Sequence, residues 1–161
     1  MIARAVATVG GVGLMRPAPG TWGSLAALPL AWMLLQGGPW IFLLAIVALA
    51  PLGWWATAAA TRGAMDHDPG EIVVDEVLGQ WIALLPVAWG ATRAGVPVEA
   101  LWPGWIAAFV LFRGFDILKP GPVGWADRRA DALGVMLDDA VAGLMAALGV
   151  LALGAAWHLI L

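Results

Sequence analysis

MLDDAVAGLMAALGVLALGAAWHLI (136–160) decides how this chain is read: two adjacent carboxylates, Asp138 and Asp139, head an apolar run with no further acid, lysine or arginine. About twenty apolar residues in helical form cross the ~30 Å hydrocarbon core of a bilayer, so this stretch predicts a membrane helix. Working outward, four more apolar segments of comparable kind appear at roughly 21–37, 39–60, 72–92 and 99–119. The composition agrees, since 161 residues that are 62% hydrophobic and 12% charged, with a mean hydropathy of +0.89, leave too little charge for a water-facing shell. The expected fold class is therefore all-α: a polytopic membrane helical bundle of about four to five apolar helices, forming one integral-membrane domain over 1–161. The first helix is expected to be short or re-entrant, because its clean apolar stretch runs only from Leu25 to Leu35 and a hairpin turn is written at Gly37-Gly38-Pro39. The opening segment is broken by glycines and followed by Arg16 and prolines, so it does not read as a signal peptide and is expected to stay in place.

Charge placement orients the bundle. If all five segments cross, Arg4, Arg16, Arg62, Arg113, Lys119, Arg128 and Arg129 share one side and only Arg93 lies on the other. The positive-inside rule makes the first side cytoplasmic. Trp40, Trp89, Trp102 and Trp157 then fall near the far interface, and Trp22 and Trp125 near the cytoplasmic one.

Several chemistries are excluded at once. With no cysteine there is neither a disulfide framework nor a thiolate nucleophile, and His67 and His158 are too few for a histidine-built metal site. Metal chemistry must run on oxygen ligands, which favours hard ions. A net charge of -3 and a pI near 5.1 lack the basic footprint of a nucleic-acid binder.

All acids except Glu99 fall in two blocks, 66–76 and 116–139, which the topology gathers at the cytoplasmic ends of helices. In the first block Asp68-Pro69-Gly70 reads as a turn, Glu71 as an N-terminal acid, and Asp75 and Glu76 as lying one turn inside the apolar helix. Carboxylates at that depth need a cation, and pairing with arginines of neighbouring helices is the simplest supply. In the second block Arg113, Asp116 and Lys119 share one helix flank at spacing i, i+3, i+6, which alone also suits a simple ion-pair ladder ended by Pro120 and Pro122. Asp138 and Asp139 at the head of the last helix suit its dipole. Repelling neighbours at the same depth as Asp75 and Glu76 are better explained by a divalent ion shared among the four. Arg128 and Arg129 suit lipid headgroups or topology. Gly20, Thr21, Gly23 and Ser24, entering a helix, offer backbone N–H groups and hydroxyls as a phosphate cradle, with capping by Thr21 or Ser24 as the plainer role.

Three stretches, GTWGSLAALPL (20–30), DPGEIVVDEVLGQWIALLP (68–86) and FRGFDILKPGPVGWADRRADALGVMLDDAVAG (112–143), resemble the bacterial phosphatidylglycerophosphatase A family in order and spacing. Gly114 stands where that family often has an aromatic residue. The resemblance implies a magnesium-dependent membrane phosphatase of the bacterial cytoplasmic (inner) membrane. Its reaction would convert phosphatidylglycerophosphate to phosphatidylglycerol and phosphate, with the active site facing the cytoplasm. On that basis Mg2+ is assigned to Asp75, Glu76, Asp138 and Asp139, and the phosphate to Lys119 and Arg113, with Thr21, Ser24, Arg128 and Arg129 as further substrate-binding residues. Asp116, Asp75 and Asp139 are the candidate catalytic residues. Asp116 is left as metal ligand, general base or nucleophile, with metal-activated water the favoured attacking group.

Three competing assignments are weaker. The DHD at 66–68 is superficially an aspartyl-phosphatase DxD but lies in a Pro-Gly turn. A CDP-alcohol phosphotransferase needs a DG-x-x-AR pattern that is absent. An ion-coupled transporter would hold its acids near the midplane, whereas these cluster towards one surface.

Overall fold

The computed structural model describes residues 1–63, 69–129 and 131–160. Asp66, His67 and Asp68, and with them the DHD triplet, lie outside the described residues, as does the side chain of His158. The chain forms α1 (Ile2–Ala7), α2 (Pro19–Leu35), α3 (Pro39–Ala60), α4 (Val74–Ala83), α5 (Leu85–Ala94), α6 (Trp102–Leu118), α7 (Pro122–Asp127) and α8 (Ala132–Ile160), with 3-10 turns at Val12–Leu14 and Val98–Leu101. No strand occurs among the described residues. Prolines sit in the first turns of α2, α3, α5, α6 and α7, where a missing N–H costs nothing and the fixed φ suits a helix.

Three segments are long and apolar enough to cross a membrane: Pro39–Ala60, Val98–Leu118 and Ala132–Trp157. The two others depart from the sequence expectation in instructive ways. α2 is short at 17 residues, roughly 26 Å at ~1.5 Å per residue. It is one continuous helix. It starts beside the acids described below and ends at the opposite pole of the bundle, where the Trp32 indole N–H donates to Glu99. Gln36, Gly37 and a left-handed Gly38 (φ 91°) then turn the chain into α3. The expected helix over 72–92 is broken into α4 and α5 at Leu84, because Pro86 has no N–H to continue the ladder.

The bundle is closed by small residues inside and by large apolar ones outside. Ala27, Ala31, Ala56, Ala108, Ala142 and Ala146 are fully buried, whereas Trp32, Leu44, Val47, Val110, Leu144 and Leu151 are exposed. That inversion of the soluble pattern suits a surface bathed in lipid. Trp40, Trp102 and Trp157 are exposed, and Trp40 meets the edge of Trp89 with ring centroids 4.9 Å apart, which pins α5 to the start of α3 at the far pole.

α4 and α8 cross at close range. A Cβ on Gly143 would meet the Gly79 backbone, 2.9 Å from its carbonyl carbon and 3.0 Å from its Cα. A Cβ on Gly79 would lie 2.6 Å from the Asp139 carbonyl oxygen and 2.7 Å from Phe112 Cζ. Only two glycines permit this approach. Gly143→Ala is therefore expected to push α8 off α4 and destabilise the protein by about 1–3 kcal/mol, the usual cost of overpacking. A thermal melt of the variant in lipid or detergent checks this; an unchanged midpoint would mean the helices yield freely.

Candidate active site

Four elements meet at one pole. The first turn of α4 carries Asp75 and Glu76, the last turns of α6 carry Arg113 and Asp116, α8 carries Asp138 and Asp139, and the start of α2 carries Gly20 and Ser24. Two helix starts differ from the sequence expectation. α4 begins at Val74, later than expected, so Asp75 and Glu76 occupy its first turn instead of lying a turn inside. α8 begins at Ala132, earlier than expected, because Asp131 accepts the Gly134 N–H at 2.8 Å and so acts as a side-chain cap. Asp138 and Asp139 thus lie well inside α8, not in its first turn, and the dipole explanation no longer covers them.

All four of these carboxylates are buried, with Asp139 only 3% exposed. Carboxylate oxygens of Glu76, Asp116 and Asp139 lie within 4.8 Å of one another. Arg113 is the local counter-charge: Nη1 binds Glu76 and also reaches Asp116 Oδ2 at 2.8 Å. The Ser24 hydroxyl stands 2.9 Å from Glu76 Oε2 and 3.0 Å from the Gly20 carbonyl. Asp75 accepts the Glu76 N–H at 2.8 Å. Asp139 has no ion-pair partner among the described residues, and repulsion from Glu76, Asp75, Asp116 and Asp138 converges on it.

Lys119, just past the end of α6, caps that helix in the left-handed region (φ 44°), a conformation unfavourable for a residue with a Cβ. Its ammonium bridges Asp127 and Asp138 at 2.5 Å each. Burial would lower its pKa, but these two carboxylates outweigh burial and hold the lysine above its usual range. The lysine is therefore a tie between α6, α7 and α8, and the expected Arg113-Asp116-Lys119 ladder exists only in its first half. Arg129 pairs with Asp131 at 3.0 Å, and Arg128 is exposed beside it.

The glycine-rich start of α2 serves packing. Ala18 is the N-cap and neither Thr21 nor Ser24 caps. A Cβ on Gly23 would lie 2.7 Å from the Val73 side chain and 3.3 Å from Glu76 Cβ, and one on Gly20 would strike the Glu76 carboxylate. Thr21 is half-buried on the same turn. A cradle of bare glycines thus lets α2 lie directly on the acids of α4, and Ser24 is spent on Glu76.

Three hard oxygen donors on separate helices, short of positive charge by simple count, suit a hard cation. Of the four residues expected to hold a metal, Glu76 and Asp139 stand with Asp116 in this group. Asp75 and Asp138 flank it, Asp138 occupied by Lys119.

A family model described as phosphatidylglycerophosphatase A matches residues 5–154. The chain belongs to the phosphatidylglycerophosphatase A family. Membership makes it an enzyme, a phosphatase. The phosphatidylglycerophosphatase A of Haemophilus influenzae is 40% identical over 145 residues, covering 89% of this chain and 83% of its own length. That of Escherichia coli is 38% identical over 140 residues, covering 85% and 74%. A Bacteroides thetaiotaomicron protein provisionally named a phosphatidylinositol-3-phosphatase is 36% identical over 149 residues, covering 83% and 82%. No solved structure matches the chain at a significant level. In this member of the phosphatidylglycerophosphatase A family, the acid pole is built from all three stretches that carried the resemblance.

Proposed function

We propose that this protein is a magnesium-dependent phosphatidylglycerophosphatase of the bacterial inner membrane. It would remove the terminal phosphate of phosphatidylglycerophosphate at the cytoplasmic face and so feed phosphatidylglycerol and cardiolipin synthesis. The whole chain acts as a single membrane-embedded catalytic domain. The observation that carries this proposal is the group Glu76, Asp116 and Asp139, buried on three helices at one pole beside a single arginine, in a member of a phosphatase family.

Glu76, Asp116 and Asp139 would hold magnesium, with Asp75 and Asp138 in support. When bound, the ion supplies positive charge against the phosphoryl oxygens and against the charge that develops during transfer. The chain's own groups do the rest. Arg113 holds Glu76 and Asp116 in register, and its guanidinium is a fork suited to a phosphoryl group. Arg128, exposed beside the Arg129–Asp131 pair, adds positive charge along the approach, where an anionic headgroup arrives from the lipid surface, while Lys119 and Arg129 would reach the phosphate only by exchanging their aspartate partners. Ser24 fixes one oxygen of Glu76. Asp116, the least enclosed of the three acids, would complete the metal shell or, if it leaves that shell, serve as the base towards attacking water. The acyl chains stay among the apolar outer faces of the helices while the phosphate enters at headgroup depth.

The test is phosphate release by the purified protein from phosphatidylglycerophosphate in mixed micelles, with magnesium and with EDTA. Release should be strong with magnesium and fall to background with chelator; release indifferent to chelation would remove the metal from the proposal. A parallel arm with phosphatidylinositol 3-phosphate addresses the Bacteroides thetaiotaomicron relative named for that lipid. Faster turnover there would reassign the substrate and leave the chemistry in place.

A further inference from the structure

Gln80 lies one helical turn beyond Glu76 on the same face of α4 and is 0% exposed, yet neither its Oε1 nor its Nε2 has a hydrogen-bond partner. Arg113 Nε is buried and equally without a partner, although the same guanidinium serves Glu76 and Asp116 through Nη1. Residues four apart on a helix have Cβ atoms ~5–6 Å apart. The Gln80 amide is therefore within a side chain's reach of the Glu76–Arg113 pair. α4 and α6 meet at this level: a Cβ on Gly79, next to Gln80, would lie 2.7 Å from the side-chain ring of Phe112, next to Arg113.

A buried amide bonded at neither end costs free energy that methionine or leucine in its place would avoid. A local rule broken with no structural return is expected where function supplies the return. We propose that Gln80 is a positioning residue of the acid centre, its carboxamide oxygen receiving the Arg113 guanidinium when Glu76 and Asp116 turn to a ligand.

The chemistry follows from competition for the same oxygens. Arg113 Nη1 stands on Glu76 and Asp116 as a counter-cation. A divalent ion held by those carboxylates would compete with Arg113 for their oxygens, and a half-buried guanidinium that gives up part of its acceptor set needs another. Gln80 Oε1 is a neutral acceptor, so it keeps the arginine beside the site without drawing the cation away from the acids. The inference rests on the phosphatase assignment above.

Gln80→Met keeps the volume and removes the acceptor, and Gln80→Leu does so with a stiffer side chain. In full-length protein in nanodiscs, three quantities are measured: the thermal midpoint, its dependence on magnesium without substrate, and kcat and KM for phosphatidylglycerophosphate. The expected result is a midpoint at or above wild type, a KM within about twofold, and roughly tenfold losses in kcat and in apparent magnesium affinity, the range for outer partners of metal ligands. A Gln80→Met protein with wild-type kcat and magnesium response would overturn the proposal. Failure of both variants to fold would also overturn it, by making the amide structural. Wild-type protein with no magnesium-dependent release would instead refute the phosphatase assignment itself.

Discussion

Asp139→Asn should stop phosphate release while leaving the protein folded and at least as stable as wild type. Asp139 is 3% exposed, stands in one group with Glu76 and Asp116, and has no ion-pair partner among the described residues. Asparagine keeps its size and removes one charge from a pole crowded with like charge, so repulsion falls and the fold gains or breaks even. Catalysis has no such compensation, because a neutral amide is a poor ligand for a hard cation and cannot carry the negative charge of the site. The loss in kcat should be on the order of 10²–10³-fold, the scale seen when one electrostatic contact is removed from a catalytic centre. Phosphate release and a thermal melt on the same preparation check both halves. Wild-type turnover in the variant would take Asp139 out of the site.

Arg113→Met should have the opposite stability effect. Arg113 Nη1 holds Glu76 and Asp116 together, and the side chains of all three are no more than 14% exposed. Removing the guanidinium leaves two buried carboxylates facing each other and Asp139. Breaking a buried pair by deleting one partner costs about 3–5 kcal/mol, which for a chain of this size corresponds to a fall of roughly 10 °C in melting temperature. The same excess charge makes the site a stronger trap for divalent cations, so magnesium should recover much of the loss, by linkage between binding and folding. Arg113→Lys keeps a charge but not the fork, and should fall between. Melting curves with and without magnesium check this. An unchanged midpoint without the ion would mean that the acids do not depend on the arginine.

These two variants separate what the acids do from what holds them. One removes a buried charge that has no ion-pair partner among the described residues, the other removes the charge that makes its neighbouring acids tolerable. Lys119 belongs with the second kind, since its strained backbone and its bridge between Asp127 and Asp138 fasten α6, α7 and α8 around the pole.

The sequence alone determined the solvent and the class. Five apolar segments, scarce charge and no cysteine leave a helical membrane bundle, because hydrocarbon satisfies no backbone group and the chain must do so within helices. It also determined the pole: acids restricted to 66–76 and 116–139 fall at the same ends of helices once the segments alternate in direction. Neither statement needs side-chain geometry.

Only the tertiary structure decided which acids meet. Asp75 and Glu76 are adjacent in sequence, as are Asp138 and Asp139, but successive residues on a helix point ~100° apart. Each pair is therefore divided by the way its helix is rotated. The rotation is set by Gly79 on Gly143 and by Gly20 and Gly23 on α4, contacts between residues too far apart in the chain for any local pattern to reveal. The same crossings turn Glu76 and Asp139 towards Asp116 and give Asp138 to Lys119. The start of α8 was readable in principle from Asp131 three residues before Gly134, a cap hidden in a charged stretch. The charge that assembles the site is written along the chain, but its partition into the Glu76–Asp116–Asp139 group and the structural ties depends on how closely three helices pack, and glycines fix that distance.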